Sequence, residues 1–541
     1  MKNHSKVNNY FKDYIPALIL SMKGYNPKKL SKDIISGIIV GIIALPLSLA
    51  LAIASGAPPE IGLITAVIGG GFAAFLSGSR IQVSGPTAAF IPIVLSIAAS
   101  CGPSGFLLAI FLAGVLLLAM GFFKLGKLIN YISLPIIAGF TTGIAISIFT
   151  GQLGDLFGYD YSLIPKEFIE KIEFYITNIG SINITAMLMG IGCIVVMVVV
   201  SKFSKKIPSA LVAILLAVAV KLIFDPNVET IGSRFGELQF KLKMGGIDFG
   251  NIVKVIGPAI SIALLAAIES LLSAKAADNM TKTIHNPNTE LISQGAANIA
   301  SSLFGGLPVT GAIARTSANI KNGGTTPIST ITHAVTLLLI GIFLMPFAVY
   351  IPLCSLAAVL IMVCKNMINI KEAKKIFSAT PKDMLLFVIA MSLTVIFDLV
   401  VAILTGMAVA LGLVIINYVK SKIEKKNYKL ELVETEMKGR TIIEINGALN
   451  FITDTRFKLN YDLLKDFIVF DMNKTFDLDL QGYMVIVNAI KRLTEDGKTV
   501  KVIGNKRCIK YLFKINFRDE ESIDLTNILV EQSMLEFNEN N

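Results

Sequence analysis

Val83-Ser84-Gly85-Pro86-Thr87-Ala88 and Val309-Thr310-Gly311-Ala312-Ile313-Ala314 are two versions of one short phrase. Each reads as a scrap of extended chain, a glycine, and the first turn of a helix, set in strongly apolar sequence. Hydrophobic segments broken at corresponding places in two halves of a membrane protein point to a transporter's binding site. The second copy runs on into Arg315, a charge at membrane depth.

Working outward, the composition sets the class. The chain has 541 residues, 54% of them hydrophobic, and a mean hydropathy of +0.69, which describes a polytopic membrane protein. Acidic and basic residues are missing over 34–59, 61–79, 81–123, 128–154, 174–201, 291–314, 322–364 and 399–419. Each gap holds at least one span of about 20 residues. The net charge of +11 does not indicate a nucleic-acid partner, because the lysines fall at alternate loops. Basic clusters lie in 1–33, at Lys124/Lys127, Lys202/Lys205/Lys206, Lys365/Lys371/Lys374/Lys375 and Lys420/Lys422/Lys425/Lys426. That is the positive-inside pattern, and it places both termini in the cytoplasm of a bacterial-type inner membrane. The lysine-rich start is no signal peptide. Five scattered cysteines and three histidines offer no metal site or disulfide framework.

Fourteen membrane segments follow, near 34–56, 61–78, 86–100, 105–123, 132–153, 183–201, 208–224, 255–277, 290–304, 312–321, 327–346, 352–364, 383–398 and 400–419. The third and tenth are too short to cross about 30 Å of hydrocarbon as full helices. Each follows the repeated phrase, so each crosses as a short strand plus a half-helix. Their positions imply a 7+7 inverted repeat. Pro46 is expected to break the first span, and Gly69-Gly70-Gly71 to allow close contact in the second. Residues 366–378 read as a basic amphipathic helix on the cytoplasmic face. Asp398 reads as an outer-loop residue between the last two spans. The organisation is thus a cytoplasmic segment, 1–33, a transmembrane domain, 34–420, and a small α/β domain over 425–541. Strand-like runs there are Leu430–Val433, Thr441–Ile445, Phe467–Phe470 and Val500–Ile503. A helix near 482–494 lines one face with Tyr483, Ile486, Val487, Ile490 and Leu493.

The repeated phrases suit an anion. A helix N-terminus offers unpaired N–H groups and about half a positive charge, so two such ends face an anion with little side-chain help. Pro86 fits a first helical turn, and Gly85 and Gly311 let a ligand approach the backbone. Ser84, Thr87 and Thr310 can add hydroxyls beside the Ala88 and Ala312 amides. Arg315, one turn into its half-helix, supplies charge and a bidentate fork. Glu269, mid-span in Ala266-Ala267-Ile268-Glu269-Ser270-Leu271, would cost about 2.5–3.5 kcal/mol to bury charged. A proton or a cation relieves that cost. The functional reading is proton coupling, with Ser273 on the same face; the structural one is a static Glu269–Arg315 pair. His285 and His333 have no ligand-type company, and Lys275 with Asp278 reads as a solvated i,i+3 pair.

These residues resemble the sulfate permease (SulP) family of anion transporters. Ser79-Arg80-Ile81-Gln82-Val83-Ser84-Gly85-Pro86-Thr87-Ala88-Ala89-Phe90 is similar to that family's strongest motif. Ala267-Ile268-Glu269-Ser270-Leu271-Leu272 and Gly311-Ala312-Ile313-Ala314-Arg315-Thr316 are similar to two more. The resemblance implies a nucleobase-permease-like fold with core segments 1–4 and 8–11 and gate segments 5–7 and 12–14. It also implies elevator-like access, a homodimer, a substrate between the third and tenth half-helices, and a STAS domain from about 425. Pro46-Leu47 stands where many sulfate-type members have Pro-Gln, which is closer to bicarbonate and C4-dicarboxylate branches. Glu269 replaces the Asp of sodium-coupled bicarbonate members and so leans towards protons. Asp479-Leu480-Gln481-Gly482 lacks the serine that stand-alone STAS proteins phosphorylate.

The expectation is therefore secondary active uptake of a small oxyanion such as sulfate or bicarbonate, coupled to protons rather than sodium and needing no cofactor. A C4-dicarboxylate (succinate or fumarate) proton symporter is the alternative. An uncoupled anion channel and an anion-sensing scaffold with a cytoplasmic protein partner at the STAS domain remain. No catalytic constellation suggests an enzyme.

Overall fold

The computed structural model describes residues 14–127, 133–165, 167–203, 208–242, 244–247, 249–396, 399–423, 428–437, 440–461, 464–504, 512 and 529–531. Asp398, Lys205, Lys206, Lys425 and Lys426 lie outside them. The chain gathers into two compact units.

The first unit comprises residues 1–129, 144–367 and 398–400. Its helices are α1 (Pro27–Ala54), α2 (Pro59–Leu76), α3 (Ile91–Phe122), α4 (Leu134–Phe157, continuing into the second unit), α5 (Phe168–Thr177), α6 (Ile184–Phe203), α7 (Ser209–Phe224), α8 (Ile252–Thr281), α9 (Pro287–Leu303), α10 (Ile313–Lys321), α11 (Pro327–Leu344) and α12 (Leu353–Met367). Among the described residues, eight helices are long and apolar enough to cross a membrane, and the shorter Ala88–Ala98 and Ser209–Phe224 are apolar too. Length and apolar composition are what such a crossing requires.

One break differs from the sequence reading. Pro46 lies inside α1, which runs through it without interruption. Its missing N–H costs one ladder bond, and neighbouring packing holds the helix together. The third and fourth segments are two helices, as expected, and α3 covers both across a non-helical kink at Gly102, where φ is 67° and ψ −179°. Glycine alone adopts that conformation without strain.

Small residues set the packing. Gly114 of α3 and Gly295 of α9 cross so closely that a Cβ on either would lie 2.7–2.8 Å from the other's carbonyl oxygen. The Gly69-Gly70-Gly71 run of α2 does what its composition suggests. A Cβ on Gly70 would meet the Ser84 carbonyl oxygen at 2.7 Å, and one on Gly69 would overlap the Val309 side chain. The triplet therefore lies beneath both copies of the repeated phrase.

The second unit holds residues 130–143, 368–397 and 401–541. It contains α13 (Ile370–Ser378), α14 (Pro381–Ile396) and α15 (Leu399–Ile423, whose first two residues belong to the first unit). The basic helix expected over 366–378 is α13, capped by the Asn369 side chain. An α/β region follows: β3 (Glu431–Met437), β4 (Arg440–Ala448), β5 (Phe467–Asp471), β6 (Thr475–Phe476), α16 (Leu480–Glu495), β7 (Thr499–Gly504) and β8 (Leu529–Glu531). The strand order is β3-β4-β5-β7-β8, with β6 on β4. β3 runs antiparallel to β4, and the β4–β5–β7–β8 ladder is parallel. Tyr483, Ile486, Val487, Ile490 and Leu493 of α16 are all buried, as the helical spacing predicts. Their core continues into Ile376, Ala379, Phe387 and Ala138 of the same unit.

Candidate functional site

The two phrases meet. Ser84–Gly85 is strand β1, Thr310–Gly311 is strand β2, and they pair antiparallel with Ser84 opposite Gly311 and Gly85 opposite Thr310. The Ala312 N–H extends the pairing by donating to the Val83 carbonyl, 2.9 Å. A one-residue register slip would turn every side chain over, so this pairing fixes which groups face the half-helices.

Each phrase leads into a helix start. Ala312 is the N-cap of α10, and Thr316 N–H is the first to find an intrahelical acceptor, in the Ala312 carbonyl. The N–H groups of Ile313, Ala314 and Arg315 are thus the free donors of a helix terminus. Ile313 and Ala314 are exposed and Ala312 is half-buried, so this terminus is open. On the other side the turn begins at Ala88, two residues later than the sequence suggests. Pro86 and Thr87 precede the helix; Thr87 is extended, and a 3-10 turn over Ala88–Phe90 leads into α3. The proline in the first turn of α3 is Pro92.

The predicted hydroxyls divide. Thr87 Oγ1 donates to Glu269 Oε2 at 2.9 Å. Ser84 Oγ accepts from Gln294 Nε2 at 2.8 Å. Thr310 Oγ1 is turned away to the Ala266 carbonyl, 3.0 Å, and anchors β2 to α8. Ser273 Oγ lies 3.3 Å from Thr316 Oγ1, which in turn accepts from the Val83 N–H. Ser273 therefore supports the strand pair, and among the described residues no hydrogen bond joins it to Glu269, one turn earlier.

Arg315 is buried, with Nη2 donating to Ser48 Oγ at 3.2 Å. A Cβ on Gly85 would stand 2.5 Å from its Nη1, so the guanidinium lies directly on the first phrase. Its Nε and Nη1 have no protein hydrogen-bond partner among the described residues. The static Glu269–Arg315 pair is not formed: Glu269 bonds to Thr87, Arg315 to Ser48, and no ion pair joins them among the described residues. Among the described residues no ion pair joins Lys275 and Asp278 either. Asp278 instead accepts from the His285 ring at 2.6 Å, from the His285 N–H and from Thr283 Oγ1.

Sequence reading missed what holds the site in place. Glu290 is fully buried, and its Oε2 accepts from Ser77 Oγ, Gly78 N–H and Ser79 N–H. Its Oε1 accepts from Gln82 Nε2 at 3.0 Å and Gln294 Nε2 at 2.8 Å. One carboxylate thus fastens the approach to β1. Asn298 does the same for β2, accepting from the Val309 N–H and donating to its carbonyl. Glu290, Gln294 and Asn298 recur every four residues on α9, a polar stripe that helical periodicity could have revealed. Asp33 of α1 similarly accepts from the Thr325 and Thr326 N–H groups and both hydroxyls, together with Tyr25.

No group of three or more His, Cys, Asp or Glu placed to hold a metal occurs among the described residues. Two half-helix starts, a buried guanidinium and a half-buried carboxylate can bind a small anion and respond to a proton. They hold no nucleophile with an activating base.

Comparisons with known proteins give the family and the fold. Residues 30–390 match the model of the Sulfate permease family. YvdB of Bacillus subtilis, provisionally named a sulfate transporter, is 36% identical over 493 residues, 89% of this chain and 93% of its own length. The bicarbonate transporter BicA of Picosynechococcus is 29% identical over 501 residues, 87% of this chain and 88% of its length. The solved transmembrane domain of a cyanobacterial BicA superposes with a TM-score of 0.61 at 27% identity, covering 72% of this chain and 98% of that one. The SLC26A9 structure shares the fold over 100% of this chain and 95% of its own, with a TM-score of 0.70 at 16% identity. With the paired half-helix starts and the match over residues 30–390, the chain is a multi-pass membrane transporter, not an enzyme, and it belongs to the Sulfate permease family.

Proposed function

We propose that this protein is a secondary active transporter that takes up a small oxyanion of the sulfate or bicarbonate type together with a proton. The observation that carries the reading is the β1–β2 pairing, which brings two half-helix starts and the buried Arg315 to one place. Backbone N–H groups and a guanidinium complement an oxyanion's charge without demanding one particular shape. The names of YvdB and BicA support that substrate class.

Glu269 is assigned the coupling. Its bond to Thr87 ties a carboxylate to the residue that leads into the first half-helix. An anion arriving there adds a like charge, and a proton on Glu269 removes it, so each ligand favours the other by linkage. We assign the cytoplasm to both termini, a bacterial inner membrane to the helices, a dimer to the assembly, and a STAS-type regulatory role to the C-terminal α/β region.

Uptake by reconstituted vesicles tests the reading. Labelled sulfate and bicarbonate should accumulate faster when the outside is made more acidic than the lumen. Uptake that ignores an imposed pH gradient removes the coupling, and currents far above carrier rates would make the protein a channel.

A further inference from the structure

The chain ahead of α1 is tied to two distant parts of the first unit. Residues Ala17–Ser21 form a short helix, and the Ala17 N–H donates to the Ser77 carbonyl at 2.8 Å, just past the end of α2. Asn26 then caps α1, its side chain accepting from the Lys29 N–H. Asp33, one turn beyond Lys29, is fully buried and accepts from the N–H and hydroxyl groups of Thr325 and Thr326, in the turn between α10 and α11. Residues from 20–29, from the segment before β1 and from that turn thereby line one cavity of about 420 Å³, a size typical of ligand pockets.

Its lining is basic. Lys23, Lys29 and Arg80 meet there with Leu20, Ser21 and Thr325. Among the described residues no ion pair neutralises these cations; the Lys29 ammonium donates only to the Gly24 carbonyl, at 3.3 Å. The carboxylates bonded to the same stretches are committed elsewhere. Asp33 accepts from the two threonines and the Tyr25 hydroxyl, and Glu290 from the Gly78 and Ser79 N–H groups and neutral side chains. The Ser21 hydroxyl oxygen is buried without a hydrogen-bond partner among the described residues. Like charges gathered at one hollow repel one another, and native proteins seldom leave a buried hydroxyl unpaired. An anion with several oxygens relieves both.

The apolar surface beside the cavity says which anion. Leu30, Ile34 and Ile38 are exposed at four-residue intervals on α1, one stripe that starts next to Lys29 and runs along the span. Ile19 and Leu20 are exposed as well. Contiguous exposed apolar surface on a spanning helix is where acyl chains lie. We infer that Lys23, Lys29 and Arg80 hold the phosphate of an anionic phospholipid whose acyl chain follows Leu30, Ile34 and Ile38. Basic pockets at the cytoplasmic ends of spans suit such headgroups, and this end of α1 is cytoplasmic on the orientation proposed above. The site is separate from the one built on β1 and β2. Arg80 stands four residues before Ser84, so a bound headgroup steadies the chain that leads into β1.

The experiment uses the purified full-length protein in mixed micelles. Native mass spectrometry counts the lipids it retains, and Tm is read with added phosphatidylglycerol, phosphatidylcholine or inorganic phosphate. Phosphatidylglycerol should be retained and raise Tm; zwitterionic phosphatidylcholine should do neither. Combining Lys23→Gln, Lys29→Gln and Arg80→Gln should weaken phosphatidylglycerol binding by about tenfold or more, the scale of several cations lost from an anionic headgroup. Lys23→Arg with Lys29→Arg should keep the affinity. Lys29→Gln alone should lose part of it, and carries the test should the triple variant fail to fold. Wild-type retention of phosphatidylglycerol in the glutamine variants overturns the inference. A Tm rise with inorganic phosphate that matches the lipid's and vanishes in the triple variant overturns the lipid in favour of a free phosphate. Micelles have no sides and uptake is not measured, so these outcomes stand or fall apart from the transport and orientation readings.

Discussion

Ser84 and Gly311 stand opposite one another in a two-residue antiparallel ladder, although more than two hundred residues separate them in the chain. That pairing joins the two halves of the inverted repeat at the level of their broken helices. It also makes the environment of Gly311 severe: a Cβ there would overlap Gln82 Nε2 and stand 3.1 Å from the Ser270 Cα.

The two glycines of the pair should therefore respond differently to alanine. Gly311→Ala presses on a glutamine already committed to Glu290 and on helix backbone, and should destabilise by about 1–3 kcal/mol. Gly85→Ala meets the tip of Arg315, which can move, so its Tm should fall little while anion affinity drops. Thermal unfolding and binding measured on both variants check the contrast.

Arg315→Ala should lower anion affinity by about ten- to a hundredfold, equivalent to about 1.5–3 kcal/mol for hydrogen bonds to a charged group. Arg315→Lys should recover only part of that, because an ammonium cannot reproduce the planar fork. Titration of labelled sulfate against each variant measures both.

Glu269→Gln keeps an acceptor for the Thr87 hydroxyl but cannot take up a proton. Anion exchange across vesicles should persist while pH-driven accumulation disappears. Loss of exchange and accumulation together would make Glu269 structural.

Glu290→Ala removes the acceptor of five donors and leaves them buried. The expected cost is on the order of 3 kcal/mol or more, seen as a large fall in Tm. Anion binding should be lost with it, since β1 loses its anchor.

In the second unit, Asp383 of α14 accepts from the Leu480 N–H at the start of α16, 3.0 Å. The neighbouring Asp479 carboxyl is held well above the ordinary carboxylate range, first by burial and then by the charge of Asp383. The Gly482 and Phe451 N–H bonds oppose this. A carboxyl raised on folding adds stability at low pH and loses it as pH rises through the folded value. The Tm of this unit should thus increase on acidification from neutral pH. Asp383→Asn keeps an acceptor, relieves the repulsion, and should flatten that dependence; scanning fluorimetry across pH 5–8 reads it.

The sequence by itself determined the membrane class, the positions of the helices and the identity of the two phrases. These depend on local quantities: runs without charge, helical periodicity in α16, and glycines beside polar residues in apolar sequence. The spacing of Arg315 from its phrase was equally local. The tertiary structure decided which groups face which. Glu269 could have met Arg315 and instead meets Thr87; Ser273 meets Thr316; Thr310 turns its hydroxyl to Ala266. Glu290 and Asn298 gained meaning only when their helices were packed. A buried polar group must be satisfied by whatever lies beside it in space, and the sequence does not record that neighbour.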